Sequence, residues 1–350
     1  MHAEWKTLIE AAGAVIESGN VRHFGNPSRE LQTLATGTII ADLSHTGLIA
    51  VRGPDTATFL QNQFSNDIRE VSQHHSQMSA YCNPKGRILA CFRIFVRDET
   101  YYLRMPRELI DATLKRLRMF VLRAKVTLED ASNTLVTIGI ASLHGATELK
   151  DMLGVLPEDV DGVIHNNGLT VIRLPGAQTR FEITGECAAV KDMWNKLGAH
   201  AAPVGASAWD LLDIRAGIPT IHAATSEAFV PQMVNLHLIN GVSFKKGCYP
   251  GQEIVARMHY LGTLKRRMYL AHILSDTAPQ PGDALYGSGA ENTQGIGTIV
   301  TAQPAPEGGF DALAVVEIKA AGHGSVHLHN TGGATLAFRE LPYPLSPAET

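Results

Sequence analysis

The pattern of regular elements changes near residue 265, and this change limits the folds that the chain can adopt. Before that point, strand-like runs such as 88–96 and 179–184 alternate with helical spacings. Apolar residues recur every three or four positions over 110–121 and over 190–197, which predicts amphipathic helices there. Beyond residue 265, glycine and proline separate short strand-forming runs, as in small all-β domains. Because the alternation carries no glycine-rich phosphate fingerprint, we predict α+β modules rather than a dinucleotide-binding domain.

The length and composition indicate a globular protein with more than one domain. The chain has 350 residues, about twice the usual length of one domain. Hydrophobic residues make up 45% of it and charged residues 18%, which excludes a mainly disordered chain. We place three domains at 1–135, 136–263 and 264–350, the first two α+β and the third all-β.

The charge balance and hydropathy argue against two classes of partner. Lysine and arginine total 30, aspartate and glutamate total 34, and the formal net charge is -4. We expect no direct nucleic-acid binding, because a broad basic surface is missing, although a local basic patch is compatible with this balance. We also expect no membrane partner, because no apolar run approaches the ~20 residues that span a bilayer. The N-terminus lacks a secretory signal pattern, so we expect a cytoplasmic protein.

The cysteines and histidines do not form a recognisable metal motif. The four cysteines lie at positions 82, 91, 187 and 248 and include no CxxC pair. They are too few for a disulfide framework and too scattered for a resident zinc or iron–sulfur site. The pairs His74–His75 and His327–His329 have no carboxylate or thiol cluster beside them in the sequence. We therefore predict no metal site.

One segment, FKKGCYPGQEIVAR from Phe244 to Arg257, combines the features of a reactive loop. Two glycines and a proline within five positions predict a tight bend that carries Cys248. Lys246 precedes the cysteine by two residues, and a nearby cation or helix N-terminus favours a thiolate. Glu253 and Arg257 lie four apart, the spacing of an ion pair on one helical turn. The segment is thus either a reactive loop or a structural turn with a buried cysteine.

The sequence of this segment resembles a known family. Residues 246–253 read KGCYPGQE and are similar to the K-G-C-[YF]-x-G-Q-E signature of the YgfZ family of folate-binding proteins. These proteins are relatives of the T-protein, the aminomethyltransferase of the glycine cleavage system. The resemblance continues in DLSHTG at 42–47, NPKGRIL at 83–89 and DLLDIRAG at 210–217, and it covers residues 40–265.

The resemblance implies both a fold and a role. The implied fold is α+β and GcvT-like, with three domains in a ring around a central folate-binding funnel and a small C-terminal β-barrel. The implied ligand is tetrahydrofolate or a derivative. The implied role is the assembly or repair of iron–sulfur clusters in client proteins, including radical-SAM enzymes that modify tRNA. Cys248 is then the expected functional thiol.

Two departures from the T-protein bear on catalysis. The enzyme has a catalytic aspartate in a stretch similar to GGILDD, whereas residues 86–91 read GRILAC here, so Ala90 and Cys91 replace both aspartates. Alanine has no ionisable group and cannot exchange a proton at the folate amine. The enzyme also has LRLEAG where this chain has LDIRAG, so Arg215 replaces a glutamate that contacts the pterin. Both changes weigh against aminomethyl transfer. A folate-dependent one-carbon transferase is the alternative function, and a folate-sensing binding module is a third.

The predicted folate site combines aromatic and polar side chains, namely Tyr81, Asp213, Arg215, Lys246, Tyr249, Gln252, Glu253 and Arg257. Tyr81 and Tyr249 are expected to pack on the flat rings of the ligand, or alternatively in the core. Arg215, Lys246 or Arg257 would meet the glutamate tail or the pterin oxygens. Asp213 would supply the acceptor that Arg215 cannot. For Arg257, an ion pair with Glu253 is the other interpretation.

Overall fold

The computed structural model describes residues 1–287 and 295–345. Helices and strands are mixed throughout these ranges, as the α+β prediction requires. The helices are α1 (Ala3–Ala11), α2 (Pro27–Leu34), α3 (Thr56–Gln61), α4 (Ile110–Arg118), α5 (Ala146–Leu153), α6 (Cys187–Leu197), α7 (Ala206–Arg215), α8 (Gln252–Tyr260) and α9 (Ile318–His323). None of the helices in the described ranges combines the length and the apolarity that crossing a bilayer requires.

The strands follow in chain order. They are β1 (Val15–Glu17), β2 (Asn20–His23), β3 (Thr38–Asp42), β4 (Thr46–Arg52), β5 (Gln77–Cys82), β6 (Ile88–Arg97), β7 (Thr100–Pro106), β8 (Thr127–Asp130), β9 (Val136–Ser142), β10 (Val163–Asn166), β11 (Leu169–Leu174), β12 (Thr179–Gly185), β13 (Ala202–Val204), β14 (Arg266–Ile273), β15 (Ala284–Gly287), β16 (Gly297–Pro304), β17 (Phe310–Glu317), β18 (Val326–Leu328) and β19 (Leu336–Arg339). The hairpin predicted from strand-forming residues around position 97 is confirmed as β6 and β7.

The chain forms two compact units, each built from several segments. The first consists of Met1–Phe59, Arg69–Gln77 and Arg93–Asp210, and the second of Leu60–Ile68, Met78–Phe92 and Leu211–Thr350. The predicted domain boundaries at 135 and 263 stay a prediction.

The first unit is centred on a six-stranded sheet in the order β10-β11-β12-β9-β3-β13. Neighbouring strands are antiparallel, except that β13 runs parallel to β3. Apolar side chains of α1, α5 and α6 share one core with this sheet. Trp5 of α1 meets Trp194 of α6 edge to face, with ring centroids 5.4 Å apart. The indole Nε1 of Trp5 donates a 2.7 Å hydrogen bond to the buried carboxylate of Asp42.

A second sheet of the first unit is formed by β7, β4 and β8 together with residues 93–97 of β6. The amphipathic helix predicted over 110–121 packs beside it as α4, with Ile110, Leu114 and Leu117 buried. The helix is shorter than predicted, because the hydrogen bonds of Met119 and Phe120 reach back three residues and form turns. Leu122 then adopts a φ of 44° in the left-handed region, which a helix cannot include.

The second unit contains a six-stranded antiparallel sheet in the order β18-β15-β16-β17-β14-β19. The sheet curls into a half-barrel, and one of its faces buries an apolar cluster that includes Ile299, Ala314 and Val316. Short strands separated by glycine and proline were expected here and are confirmed. The prediction of an all-β domain is wrong in one detail, because the short helix α9 lies between β17 and β18.

Candidate functional site

All of the predicted folate residues, and Cys248, belong to the second unit. They lie in three places: on the loop and helix of the signature segment, on β5, and on the last turns of α7. The signature segment begins at Phe244, and α8 starts eight positions later at Gln252. The geometry of this segment determines which of the predicted side chains can reach a ligand.

Side chains of the signature loop alternate between the interior and the solvent. Lys246 and Tyr249 are buried, with exposed fractions of 5% and 7%. Lys245, Gly247 and Cys248 are exposed. The side chains of Lys246 and Tyr249 therefore anchor the loop in the interior of the second unit, and the side chain of Cys248 faces the solvent. Of the two interpretations of the segment, the one with a buried cysteine is wrong.

The ammonium of Lys246 is held by backbone carbonyl groups of the last residue of α3 and of the segment that follows it. Its Nζ donates to the carbonyl oxygens of Gln61 at 2.6 Å, Phe64 at 2.5 Å and Asn66 at 3.1 Å. An ammonium has three hydrogens, so these bonds use its donor capacity in full. Nζ also lies 5.1 Å from the ring centroid of Tyr249, within the range of a cation–π contact. The cation that was expected to act on Cys248 and on folate thus anchors the loop, and its folate role stays a prediction.

The bend after Cys248 depends on a close approach of two turns. Gly251 has a φ of 81°, in the left-handed region, and a Cβ at this position would lie 2.4 Å from the carbonyl oxygen of Asn83. The same Cβ would lie 2.7 Å from the backbone nitrogen of Gly86. Asn83 in turn fixes its own turn, because its Oδ1 accepts from the backbone N–H groups of Lys85 and Arg87 at 2.9 and 3.0 Å. Two motifs that are distant in the sequence, KGCYPGQE and NPKGRIL, therefore meet in the fold.

The two predicted tyrosines are buried rather than exposed. Tyr81 of β5 is fully buried and meets the ring of Phe64 edge to face, with centroids 5.8 Å apart. Burial, and then the proximity of Cys82, raise the pKa of Tyr249 above the usual value of a phenol. Burial also raises the pKa of the Cys82 thiol to about 12. The core-packing interpretation of both tyrosines fits this environment, and their contact with a ligand stays a prediction.

Helix α8 presents the remaining signature residues. Gln252 is half-buried and its Nε2 donates a 3.4 Å bond to the carbonyl of Lys246, which ties the helix start to the anchored lysine. Glu253 and Arg257 are exposed one turn apart. No ion pair joins them within residues 1–287 and 295–345, so the alternative interpretation of Arg257 as an ion-pair partner is wrong. At the other end of α8, the ring of His259 stacks on the ring of Phe244, with centroids 3.8 Å apart. This contact joins the last turn of α8 to the first residue of the signature segment.

Arg215, at the end of α7, is bound by Asp311 of β17 and by Glu307 of the turn between β16 and β17. Its Nε donates to Asp311 at 2.8 Å and its Nη2 to Glu307 at 3.0 Å. Arg339 bonds the same two carboxylates at 3.2 and 2.9 Å. Asp311 also pairs with Nδ1 of His272 at 2.8 Å. Asp213, two residues earlier on α7, is half-buried. Binding of folate by Arg215 stays a prediction, and it requires the ligand to compete with two carboxylates.

The same cluster contains a set of atoms at metal-ligand spacing. Ligand atoms of His272, Glu307 and Asp311 lie within 4.8 Å of one another. Burial acts to raise the pKa of Glu307, but hydrogen bonds from its own backbone and from Arg339 and Arg215 outweigh burial and lower it. Two guanidinium groups already balance the two carboxylates, so the cluster is an ion-pair network between α7 and β17 and has little attraction for a metal cation.

The first unit holds an acid–histidine cluster that the sequence motif DLSHTG did not reveal as such. Nε2 of His45 lies 2.9 Å from Oδ1 of Asp210, in the middle of α7. Burial acts to lower the pKa of His45, but the carboxylates of Asp210 and Asp42 outweigh burial and raise it. Burial raises the pKa of Asp42 despite hydrogen bonds from Trp5 and Ser44. The sequence signal was present, since residues 42–47 and 210–217 both belong to the family segments, but nothing in it placed the two side chains together.

The positions of the expected catalytic aspartates carry no usable acid or base. Ala90 of β6 is completely buried. Burial, with Cys82 nearby, raises the pKa of Cys91 far above neutral pH. Neither position can therefore exchange a proton in the pH range in which an aspartate would act.

The second unit also has a cleft outside the predicted site. It has a volume of about 590 Å³ and is lined by Tyr269 and the segment from Phe338 to Leu345. Tyr343 in its wall donates a 2.8 Å hydrogen bond to the carbonyl of Gly217, which follows α7. None of the predicted folate residues lines this cleft.

The architecture defines the class of protein. The structure is similar to that of glycine cleavage system aminomethyltransferase T from Bartonella henselae, with a TM-score of 0.77 over 98% of this chain and 97% of that one. The two sequences are 17% identical, so this likeness establishes the shared fold. The family model described as the GCVT N-terminal domain matches residues 19–152. The predicted GcvT-like fold is confirmed.

The sequence comparisons identify the family within that class. The chain is 32% identical over 284 residues to the tRNA-modifying protein YgfZ of Colwellia psychrerythraea, covering 80% of this chain and 86% of that protein. It is 31% identical over 307 residues to the protein of the same name from Yersinia pseudotuberculosis, covering 88% of this chain and 93% of that protein. The chain belongs to the YgfZ family, as the signature segment indicated.

Proposed function

We propose that the protein binds tetrahydrofolate, or a derivative, and assists the assembly or repair of iron–sulfur clusters in other proteins, with Cys248 as its functional thiol. The proposed clients include radical-SAM enzymes that modify tRNA, in keeping with the name tRNA-modifying protein that its relatives carry. The observation that carries the proposal is the way the signature loop is built. Two buried side chains and a glycine turn fix a loop whose cysteine faces the solvent.

The four cysteines of the chain support this assignment by contrast. Cys82, Cys91 and Cys187 are buried, whereas Cys248 is exposed. A thiol that acts on another protein must be accessible to it, since reaction requires contact with the thiolate. Only an accessible thiol on an ordered loop fits a role in handing over or protecting a cluster, and Cys248 meets both conditions.

Complementation tests the thiol. Cells that lack the protein are supplied with wild type, Cys248→Ala or Cys187→Ala, and the activity of an iron–sulfur tRNA-modifying enzyme is measured with the amount of each variant. Cys248→Ala should fail to restore activity at wild-type protein levels, while the matched control Cys187→Ala should restore it in proportion to its abundance. Full rescue by Cys248→Ala would remove the thiol from the proposal.

A thermal-shift titration tests the folate. A ligand that binds only the folded state at 100 times its Kd stabilises it by ~2.7 kcal/mol, or roughly 5–11 °C in Tm for a domain of this size. Wild type, Arg215→Ala and Arg257→Ala are compared by the ligand-induced shift, because Arg215→Ala also lowers the starting Tm by breaking its ion pairs. We expect the shift to shrink in both variants. If tetrahydrofolate leaves the Tm of wild type unchanged, folate is not the ligand.

The alternative function is one-carbon transfer of the T-protein type, which the shared fold favours. The chemistry of positions 90 and 91 opposes it, because a buried alanine and a buried thiol replace the expected carboxylates. Purified protein supplied with tetrahydrofolate and an aminomethyl donor would form methylenetetrahydrofolate if this alternative were correct. We expect no turnover above the uncatalysed rate.

A further inference from the structure

Basic residues are concentrated at one place on the first unit, in the segment that follows α4. Residues 115–125 read KRLRMFVLRAK and hold five of the 30 lysines and arginines of the chain, with no acidic residue among them. We refer to this segment as the basic tip. Lys115, Arg118, Arg123 and Lys125 are exposed on it, and Arg116 is partly exposed. The net charge of the whole chain is -4, so this concentration is local and stands against a negative background.

Few contacts within the fold involve the charged groups of the basic tip. None of the five cations forms an ion pair with a carboxylate in the part of the chain that the structure describes. Arg118 gives one hydrogen bond, from Nη2 to the carbonyl of Leu128 at 2.8 Å. Positive charge in the last turn of α4 stabilises the helix dipole, which accounts for Lys115, Arg116 and Arg118. Arg123 and Lys125 lie beyond the helix, where this explanation does not apply.

Large apolar side chains project between the cations. The exposed fractions are 61% for Met119, 43% for Phe120 and 87% for Leu122. Leu122 also has a φ of 44°, a conformation that branched and bulky residues rarely adopt. A strained and almost fully exposed leucine contributes nothing to the core. Strain at an exposed position is typical of segments that are shaped for binding.

The base of the basic tip is anchored, so its side chains are presented from an ordered backbone. The backbone N–H of Lys125 donates a 2.7 Å bond to Oδ2 of Asp55. The carbonyl group of Lys125 approaches the backbone of Gly53, which has a φ of 124°. A Cβ at position 53 would lie 2.1 Å from the carbonyl oxygen of Lys125, so glycine is required there. Successive turn hydrogen bonds run from Met119 to Val126. An anchored segment loses little conformational entropy when it binds.

We infer that the basic tip binds RNA, with its cations on the phosphate backbone and Phe120 against an unpaired base. Guanidinium groups, three of the five cations here, pair with phosphate through two parallel hydrogen bonds. An exposed aromatic ring is the usual platform for an unpaired base in RNA loops. An anionic bilayer fits less well, because Ile110, Leu114 and Leu117 of α4 are buried within the unit and leave no apolar helix face to lie in an interface. The inference rests on the proposed function only in taking tRNA as the RNA.

Fluorescence anisotropy with a labelled, unmodified tRNA transcript tests the inference on the full-length protein. The variants are Lys115→Ala/Arg123→Ala on the basic tip and Lys191→Ala/Lys196→Ala on α6 of the same unit, where both lysines are exposed. The two pairs change the net charge equally. Each phosphate contact contributes about 0.9 to the salt slope and about tenfold in affinity near 0.1 M salt. The tip variant should therefore bind ~50–100-fold more weakly with a slope lower by almost 2, and the α6 variant within twofold of wild type.

Further measurements distinguish RNA from other polyanions, and distinguish failure of this inference from failure of the proposed function. Phe120→Ala should weaken tRNA binding by ~5- to 100-fold with the salt slope unchanged, because stacking is not electrostatic. Absence of tRNA binding by wild type, equal losses in the two double variants, competition by polyglutamate as strong as by tRNA, or binding to phosphatidylglycerol vesicles instead of tRNA would each overturn the inference. The tetrahydrofolate thermal shift is measured on the same variants. A tip variant that keeps the folate shift and loses tRNA shows that the two sites are separate.

Discussion

Replacing Lys246 with methionine removes the anchor of the signature loop and leaves its shape nearly unchanged. Methionine keeps an unbranched apolar side chain of similar length but has no hydrogen to donate. The carbonyl oxygens of Gln61, Phe64 and Asn66 would each lose the bond that they accept from the ammonium. The cation–π contact with Tyr249 would also be lost. The change therefore tests whether the carbonyl contacts of a buried lysine hold this loop in place.

The expected cost follows from these contacts. A hydrogen bond to a charged group contributes ~1.5–3 kcal/mol net, and a buried carbonyl left without a partner costs ~1–3 kcal/mol. Three such bonds do not add in full, because the variant no longer has to bury an ammonium and water can reach some of the carbonyls. We expect a loss of roughly 3–4 kcal/mol in the free energy of unfolding. For a unit of this size that corresponds to roughly 6–16 °C in the Tm of the second unit.

The assay compares Lys246→Met with Lys245→Met, its exposed neighbour in the same loop. Thermal unfolding should show a large shift for the first variant and less than ~0.5 kcal/mol for the second, as for most surface substitutions. The reaction of Cys248 with a thiol reagent in native buffer gives a second readout, since a loop without its anchor samples more conformations. Equal stability of the two variants, within 1 kcal/mol, would refute the reasoning that the carbonyl contacts hold the loop.

Three other predictions follow from the same structure. Gly251→Ala should destabilise the second unit by more than ~2 kcal/mol, because its Cβ would lie 2.4 Å from the carbonyl oxygen of Asn83 at a positive φ. A Cβ at position 247 would have no neighbouring atom within 4 Å, so the control Gly247→Ala should be almost neutral. A urea titration of both variants measures the difference. The pKa of His45 is raised in the folded protein, so His45 stabilises the folded state when it is protonated. This contribution to the free energy of unfolding is complete below the unfolded pKa of about 6.5 and is lost as the pH rises through the folded pKa. The Tm difference between wild type and His45→Gln should therefore shrink between pH 6 and 9, and a constant difference would contradict this. In native buffer one thiol, that of Cys248, should react rapidly with an aromatic disulfide, and the other three only after denaturation; two fast thiols would show that a buried cysteine is accessible.

The sequence predicted the elements whose signal is local. The hairpin of β6 and β7 follows from β-branched and aromatic residues on both sides of a short polar turn. The stripe over 190–197 is part of α6, which extends back to Cys187. The prediction failed where the apolar spacing in the sequence continued beyond the end of the helix. Apolar spacing continued to Val121, but α4 ends at Arg118, because its last apolar residues belong to a turn and not to the buried stripe.

The signature loop shows what local reasoning could not supply. The order KGCY suggested a cation acting on a thiol, since the two residues are close in the sequence. Their side chains separate because the partners of Lys246 are carbonyl groups about 180 residues earlier in the chain. Backbone acceptors have no sequence identity, so no motif can predict them. The same limit applies to Arg215, whose acidic partners lie more than 90 residues later.

The two departures from the T-protein can now be considered together. Position 90 is fully buried and is occupied by a residue that needs no polar partner. Position 215 carries a cation that balances the buried carboxylate of Asp311. An unpaired charge at either place would be costly, since a buried carboxylate needs a partner to remain ionised. Both positions thus serve packing and charge balance within the second unit. The accessible chemistry of that unit lies instead in the signature loop, where the interior anchors the lysine and the tyrosine and the cysteine is left in solvent.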